Sequence, residues 1–284
     1  MKALLLMGIL AITAIWIWRE NRTVKVTELS VKQKRLPQAF SGFRIAQISD
    51  LHGAQFGENN AELLKLVRNA RPHIIVMTGD LMDAQKRDFG KALDFARKAA
   101  AIAPCYYVPG NHEGRSPAYP GLETELRNGG IYVLRDEKTT ISAGEEKLTL
   151  LGLDDQEFDI QRVGLANAPA SFNRRLEGLT ETAVGYKIML CHRPEKLAVY
   201  GKAGVDLVFC GHAHGGQVRI PGIGGLYAPE QGLFPRYTSG IHCCEDTTMV
   251  VSRGLSIRLF PFRVNNPPEL VVVQLECDQD SAAI

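Results

Sequence analysis

The sequence lacks the features that mark several common classes of protein. Its six cysteines include no Cys-x-x-Cys pair and follow no regular spacing, so neither a zinc ribbon nor a disulfide framework is predicted. The formal net charge is only +2 over 284 residues, which gives no reason to expect nucleic acid as a partner. With 45% hydrophobic and 23% charged residues, the chain suits one large α/β domain with a sizeable core.

Long apolar runs are also absent, apart from one at the N-terminus. Residues 3–18 form an apolar run that only Gly8 and Thr13 interrupt. The run is short for a membrane span but long for the core of a signal peptide, and no cleavage-like site follows it. It ends in Trp16-Ile17-Trp18-Arg19, a composition that suits the lipid headgroup region. Residues 1–20 are therefore predicted to be a retained transmembrane anchor, with a cleaved signal peptide as the alternative.

Basic residues follow the apolar run and outnumber the single Lys2 before it: Arg19, Arg22, Lys25, Lys32, Lys34 and Arg35. The positive-inside rule then places the following domain on the cytoplasmic side of the cell membrane, with the extracytoplasmic face as the alternative. Residues 21–42 are predicted to be a basic linker with a lead-in strand. This linker could contact anionic lipid headgroups or could simply be solvated.

The chain is organised around Gly211-His212-Ala213-His214-Gly215, which follows the apolar run 205–209. Residues i and i+2 of a strand share a face, so both imidazoles can turn to one point where the strand opens into a glycine-rich loop. Further polar motifs also follow apolar, strand-like runs: Asp50-x-His52, Gly79-Asp80, Gly110-Asn111-His112-Glu113 and Cys191-His192. A lone His or Asp after a strand is usually structural, but no structural requirement puts these residue types after five separate strands.

This ordered set of motifs resembles that of the calcineurin-like metallophosphoesterase superfamily, from about Phe43 to the C-terminus. The resemblance implies an α/β fold, specifically a four-layer αββα sandwich of two mixed sheets flanked by helices. The domain would span residues 43–277, with a tail at 278–284. The alternation of strand, motif and helix in the first half of the domain agrees with a site built on loops at one edge of a sheet.

The resemblance further implies a centre of two divalent metal ions. Asp50, His52 and His214 would hold one ion, while Asn111, His192 and His212 would hold the other. Asp80 would bridge both. Nitrogen and oxygen ligands without thiolate suit manganese, iron or zinc and do not choose among them. We expect manganese first, with iron or zinc as alternatives.

His112 is expected to be catalytic and not a ligand. Beside Asn111, it could protonate the leaving oxygen or stabilise the transition state as an imidazolium. Glu113 or Asp83 could orient its ring. His73 and His242 fit no motif, and we interpret both as structural or surface residues.

The stretch 215–240 resembles a loop found in a bacterial branch of membrane-associated phosphodiesterases. Its apolar residues could form an acyl groove or touch the bilayer. We prefer a loop that folds under itself and buries them: Leu226, Tyr227, Leu233, Phe234 and Tyr237. Some members of this branch and its neighbours cleave the pyrophosphate of a lipid-linked nucleotide sugar.

These observations predict a dinuclear metal-dependent phosphoesterase that hydrolyses phosphodiester or pyrophosphate bonds by attack of a metal-bridging hydroxide. The substrate would be lipid-linked or a nucleotide sugar, and membrane lipid would be a partner. The alternatives are a general phosphodiesterase or phosphatase of soluble substrates, and a non-catalytic metal-binding scaffold. The sequence does not indicate an oligomeric state.

Overall fold

A computed structural model describes residues 2–257 and 262–278. The helices in these ranges are α1 Lys2–Glu20, α2 Ala61–Asn69, α3 Gly90–Ala100, α4 Asn111–Arg115, α5 Tyr119–Asn128, α6 Gln156–Val163, α7 Ala168–Glu181 and α8 Leu197–Lys202. The strands of the first half are β1 Lys25–Gln33, β2 Arg44–Ile48, β3 Ile74–Thr78, β4 Cys105–Val108, β5 Tyr132–Val133, β6 Glu137–Ala143 and β7 Glu146–Gly152. Those of the second half are β8 Tyr186–Leu190, β9 Leu207–Cys210, β10 Arg219–Ile220, β11 Gly224–Gly225, β12 Tyr227–Ala228, β13 Gly232–Leu233, β14 Gly240–Cys244, β15 Thr247–Val251 and β16 Glu269–Cys277. The predicted tail, after Asp278, lies outside the described residues.

Two six-stranded mixed sheets form the centre of the fold. The first has the order β1-β16-β2-β3-β4-β5, with β2 to β5 parallel and β16 antiparallel to β2. The second has the order β14-β15-β9-β8-β7-β6, with the four central strands parallel. The parallel strands are apolar on both faces because both faces of each sheet are covered.

The two faces of each strand bury their residues in different cores. In β3, Ile74 and Val76 face the core between the two sheets, while Ile75 faces the core beneath the helices. Helices α2, α3 and α5 cover the outer face of the first sheet, and α7 and α8 cover that of the second. The packing follows from the two-residue period of a strand and gives the four layers that the family resemblance implied.

Helix α2 is typical of how the sequence specifies these layers. Leu63, Leu64 and Val67 recur at helical spacing and are buried, and the helix ends just before Arg71-Pro72. Most elements of the predicted α/β rhythm are present, with ends that shift by a few residues. Helices α4, α5 and α6 and strands β10 to β14 were not predicted.

The N-terminal segment forms α1, whose apolar side chains are exposed; Leu4 and Ile12 are each 70% exposed. The side chain of Asn21, just after the helix, donates to the carbonyl of Arg263 and accepts from its N–H, which fixes the helix end to the domain. The predicted transmembrane anchor is not confirmed. Among the described residues, no helix is both long and apolar enough to cross a membrane.

Candidate metal centre

The topology brings all five motifs to one edge of the fold. Strands β2, β3 and β4 run parallel in the first sheet, and β8 and β9 run parallel in the second, so their carboxyl ends open in the same direction within each sheet. Each motif follows the end of one of these strands. All seven predicted ligands are buried there: Asp50, His52, Asp80, Asn111, His192, His212 and His214.

The backbone of this edge is strained. Five predicted ligands adopt the left-handed conformation that non-glycine residues rarely take: Asp50, His52, Asp80, His212 and His214, with φ of 46 to 68°. Neighbouring glycines allow the chain to approach this closely. A Cβ on Gly211 would lie 1.9 Å from Ser49 Oγ and 2.4 Å from Asp50 Oδ2. Such strain persists where the surrounding structure over-determines it, typically at functional sites.

The first predicted group of ligands lies together. Asp50, His52 and His214 each offer one possible ligand atom, and these three atoms lie within 4.8 Å of one another. His214 Nε2 lies 3.3 Å from Asp50 Oδ1, and its ring stacks on His52 with 5.4 Å between centroids. The Ser49 hydroxyl donates to Asp50 Oδ2 at 2.6 Å, which fixes the carboxylate.

The second group lies beside the first. Ligand atoms of Asp80, His192 and His212 also fall within 4.8 Å of one another. The Nδ1 of His192 is 2.7 Å from the carbonyl of Thr78, which can only accept, so Nδ1 carries the proton and Nε2 keeps its lone pair for a metal. His212 has the opposite arrangement, because its Nε2 is 2.6 Å from the carboxylate of Glu230, which leaves Nδ1 for a metal.

Asp80 lies between the two groups. Its Oδ1 accepts the backbone N–H of His112 at 2.8 Å, which holds the carboxylate in place. Its Oδ2 lies 3.5 Å from His52 Nε2 on one side and 3.3 Å from His192 Nε2 on the other. One oxygen therefore faces both groups, as a bridging ligand requires.

His112 falls in a third group of ligand-bearing side chains, with His52 and Asp80. Its hydrogen bonding nevertheless favours a donor and not a metal ligand. The Nδ1 accepts from the backbone N–H of Ala84 at 3.0 Å, so the neutral ring carries its proton on Nε2. An Nε2–H group can donate to a substrate oxygen but cannot bind a metal. The imidazolium form would need a proton on Nδ1 and would therefore lose the hydrogen bond from Ala84.

Buried polar atoms without hydrogen-bond partners indicate that these residues fit divalent metal ions. Two buried atoms of the second group, Asn111 Oδ1 and His192 Nε2, make no hydrogen bond within residues 2–257 and 262–278. Buried polar atoms without a partner are rare and cost about 1–3 kcal/mol each. A metal ion supplies the missing partner, and nitrogen and oxygen donors without thiolate suit first-row divalent ions.

Electrostatics in the centre couple metal binding to proton release. Burial raises the pKa of Asp50 above its ordinary range. Burial acts in the same direction on Asp80, but the charge of His192 outweighs it and holds the pKa of Asp80 well below its usual value. Conversely, burial lowers the pKa of His192, yet the negative charge of Asp80 outweighs burial and raises it well above the ordinary value. A metal ion that binds His192 Nε2 would therefore compete with a proton for that nitrogen.

Glu113 has a structural task that the sequence did not predict. Its carboxylate accepts the backbone N–H groups of Asp80, Met82 and Gly110 at 2.8, 3.0 and 2.8 Å, which ties two motif loops together. None of these three hydrogen bonds involves the His112 side chain, so they do not support the hypothesis that Glu113 orients His112. Asp83 is nearer, with Oδ1 at 3.6 Å from His112 Nδ1.

Three residues outside the predicted ligand motifs connect to the second group through side-chain contacts. Arg193 is buried and forms two hydrogen bonds with Asp155, at 2.8 and 2.9 Å. It also lies 3.0 Å from Glu230, whose other oxygen contacts His212. Burial raises the pKa of Glu230, but the hydrogen bond with His212 and the charge of Arg193 outweigh it and lower that pKa to about 2. The sequence feature that could have pointed to them is Gly152-Leu153-Asp154-Asp155, whose aspartates follow β7 as the ligand motifs follow their strands.

The glycine-rich stretch forms one wall of a cleft over the ligands. The cleft has a volume of about 280 Å³, and Tyr227, Pro229 and Glu230 line it opposite His112 and Arg115. The preferred interpretation of this loop was partly wrong. Leu226 and Tyr237 are partly buried, but Tyr227, Leu233 and Phe234 are 37%, 68% and 59% exposed. In the described part of the chain, β12 and β13 pair only with each other and belong to neither of the large sheets.

The interpretation of the other two histidines agrees with the structure. His73 Nδ1 accepts from the backbone of Arg44, and the ring stacks on Phe43. His242 contacts the carbonyl of Ser239 at 3.1 Å. Neither belongs to a group of ligands found in the described part of the chain.

Comparison with known proteins identifies the family and relatives of this chain. A family model described as calcineurin-like phosphoesterase matches residues 43–216. The uncharacterized metallophosphoesterase YkuE of Bacillus subtilis is 27% identical over 262 residues, which cover 90% of this chain and 87% of that protein. The phosphodiesterase YaeI of Escherichia coli is 27% identical over 239 residues, which cover 82% of each.

A solved structure supports the fold. The crystal structure of TT1561 of Thermus thermophilus aligns with a TM-score of 0.52 at 16% sequence identity, covering 75% of this chain and 90% of that one. At this identity the likeness concerns the fold alone.

Proposed function

Because this chain belongs to the calcineurin-like phosphoesterase family, we propose that it hydrolyses a phosphodiester or pyrophosphate bond at a centre of two divalent metal ions. The chain is a metal-dependent hydrolase, and the proposal concerns which bond it cleaves and how. The position of Asp80 Oδ2 between His52 and His192 is the observation that carries it.

The residues would hold the ions in two adjacent positions. Asp50, His52 and His214 would ligate the first ion. Asn111, His192 and His212 would ligate the second, and Asp80 would bridge them. When bound, such a pair lowers the pKa of a water molecule and offsets the negative charge of the phosphoryl oxygens.

The chain's own side chains supply the rest of the chemistry. Arg115, at 2.7 Å from Glu157, lines the cleft and adds positive charge near the substrate phosphate. The Nε2–H group of His112 donates a hydrogen bond to the leaving oxygen and so stabilises the negative charge that develops there as the phosphorus–oxygen bond breaks. The backbone N–H of Ala84 keeps that proton on Nε2, so the ring enters each cycle in the donating tautomer.

We further propose that the substrate is amphiphilic. A cavity of about 640 Å³, here called the connecting cavity, runs from His52 to Asn21, Arg22 and Ile257. A second cavity of about 440 Å³, here called the apolar groove, shares those last three residues and is otherwise lined by Ala14, Ile17, Trp18 and Phe262. Polar space beside the ligands thus continues into apolar space along α1. A phosphoester headgroup with an attached acyl chain matches this order.

The exposed apolar surface of α1 supports attachment of the enzyme at a membrane, where such substrates reside. A helix that is apolar all round is normally covered by protein or lipid. The basic residues after α1 favour the cytoplasmic face. Membrane lipid would then be both the surface that α1 binds and the source of the substrate.

The test of the hydrolase is turnover of a chromogenic phosphodiester by the full chain in detergent. Metal-stripped protein would receive Mn²⁺, Zn²⁺, Fe²⁺ or Mg²⁺ separately, alongside the variants Asp80→Ala and His112→Ala. Metal-restored turnover that both variants lose supports the proposal. Bound metal in a folded protein without turnover for any ion would favour the non-catalytic scaffold.

A further inference from the structure

The contact between Glu230 and His212 links the distinctive loop to the second metal position. Glu230 lies between β12 and β13, at the turn after Pro229, and its Oε2 is 2.6 Å from His212 Nε2. Its Oε1 is 3.0 Å from Arg193, which Asp155 binds with two hydrogen bonds from the other side. The four side chains therefore form a continuous chain of charged contacts that ends at a metal ligand.

We propose that Glu230 is a positioning residue for the second metal ion, an inference that rests on the two-metal function proposed above. Its carboxylate accepts the Nε2 proton of His212 and so turns Nδ1 toward the ion. Arg193 and Asp155 hold the carboxylate at the required place. The first group is held differently, because there Ser49 fixes the ligand Asp50 directly.

The local structure indicates that Glu230 is held and is not merely a surface side chain within reach. Its backbone takes a φ of 56°, in the left-handed region that non-glycine residues rarely adopt. Ala228 is fully buried beneath the turn. Gln231 makes two hydrogen bonds of 2.9 Å with the backbone of Tyr237, which closes the base of the loop.

The position also gives the loop a part in binding the substrate. Glu230 and Tyr227 line the cleft with His112, so the residue that orients His212 also forms the cleft wall. The position of the second ion and the shape of the cleft therefore both depend on the turn that carries Glu230. Loss of the Glu230 charge should weaken one metal site and loosen the loop together.

The experiment is calorimetric titration of metal-free full-length protein with Mn²⁺, in parallel with limited proteolysis of residues 217–240. The wild type is expected to bind two ions. In Glu230→Gln and Glu230→Ala, the affinity of one site should fall by about 10–100-fold while the other is unchanged. Mn²⁺ should protect the loop from proteolysis in the wild type and protect it less in both variants.

A matched control separates this effect from a general loss of charge near Arg193. Glu195 is 4.0 Å from the same guanidinium, and Glu195→Gln should leave both affinities unchanged. Equal weakening of both sites in the Glu230 variants, or no change in either, would overturn the positioning role. A wild type that binds fewer than two ions would instead overturn the two-metal function itself, and this inference with it.

Discussion

The Nδ1 of His112 accepts the backbone N–H of Ala84 at 3.0 Å. A ring nitrogen that accepts cannot also carry a proton, so the exchangeable proton of the neutral ring resides on Nε2. This contact favours His112 as a hydrogen-bond donor over a further metal ligand, although His112 lies close enough to His52 and Asp80 to serve as either.

Replacement of His112 should therefore remove catalysis without removing metal. His112→Ala is expected to lower kcat by about 10²–10³-fold for an alkyl phosphodiester, whose leaving oxygen develops a localised negative charge that the Nε2–H group stabilises. The loss should be much smaller for a p-nitrophenyl ester, because the negative charge of p-nitrophenolate is delocalised and depends less on that hydrogen bond. The measurements are kcat for both esters and metal content per chain, with His73→Ala as the control histidine. Loss of an ion from His112→Ala would identify His112 as a ligand.

Metal removal should destabilise the fold. Asp50 and Asp80 are fully buried carboxylates in one cluster with four histidines, and ions that bind only the folded state stabilise it. At a metal concentration 100 times Kd, the stabilisation is about 2.7 kcal/mol for one site. EDTA should therefore lower Tm by several degrees, and Mn²⁺ should restore it. A Tm of Asp80→Asn that responds to EDTA as strongly as the wild type would contradict this.

Much of the centre could be predicted from the sequence because its ligands follow apolar strands in short motifs. Asp50, Asp80 and His192 are each within two residues of a strand end, and strand position alone brings them to one edge. The tautomers of the histidines could not be predicted. They depend on Thr78 and Ala84, whose backbone groups carry no signature in the sequence.

The contact between Glu230 and His212 also could not be predicted from the sequence. It lies 18 residues from His212 in a loop of four two-residue strands, a length at which no hydrophobic period exists to predict register. The exposure of Phe234 escaped prediction for the same reason, because composition alone does not say which apolar residues of such a loop are covered.

Gly211 should tolerate no side chain. A Cβ there would overlap Ser49 Oγ and Asp50 Oδ2, so Gly211→Ala is expected to displace Asp50 and weaken metal binding, with a loss of about 1–3 kcal/mol in the free energy of unfolding. Metal titration and thermal unfolding measure the two effects. Gly178, on α7, has no heavy atom within 4 Å of such a Cβ, and Gly178→Ala should instead stabilise the protein by about 0.5–1 kcal/mol. Wild-type metal affinity in Gly211→Ala would show that the strand end adapts.

The buried and the exposed cysteines should differ in reactivity. All six are free; Cys105, Cys191 and Cys210 are buried, whereas Cys243 is exposed. Burial raises the pKa of Cys105 to about 12, so its reactive thiolate is scarce at pH 8. Iodoacetamide should label Cys243 within minutes and the three buried thiols only after unfolding, as peptide mass spectrometry would show. Rapid labelling of Cys105 in native protein would mean that the core opens locally.

The apolar groove should select substrates by chain length. Burial of one large apolar side chain contributes about 1.5–3 kcal/mol, so a charge in the groove should raise KM for a long-chain phosphodiester by roughly 10-fold or more. Ile17→Glu and Phe262→Glu place that charge beside Trp18 and Ile257. Their KM for a short-chain ester of the same headgroup should match the wild type, because the connecting cavity and the metal ligands are untouched. Val163→Glu, a control at an exposed apolar residue of α6, should alter neither constant. Equal KM values for long and short chains in the wild type would remove the amphiphilic substrate while leaving the hydrolase intact.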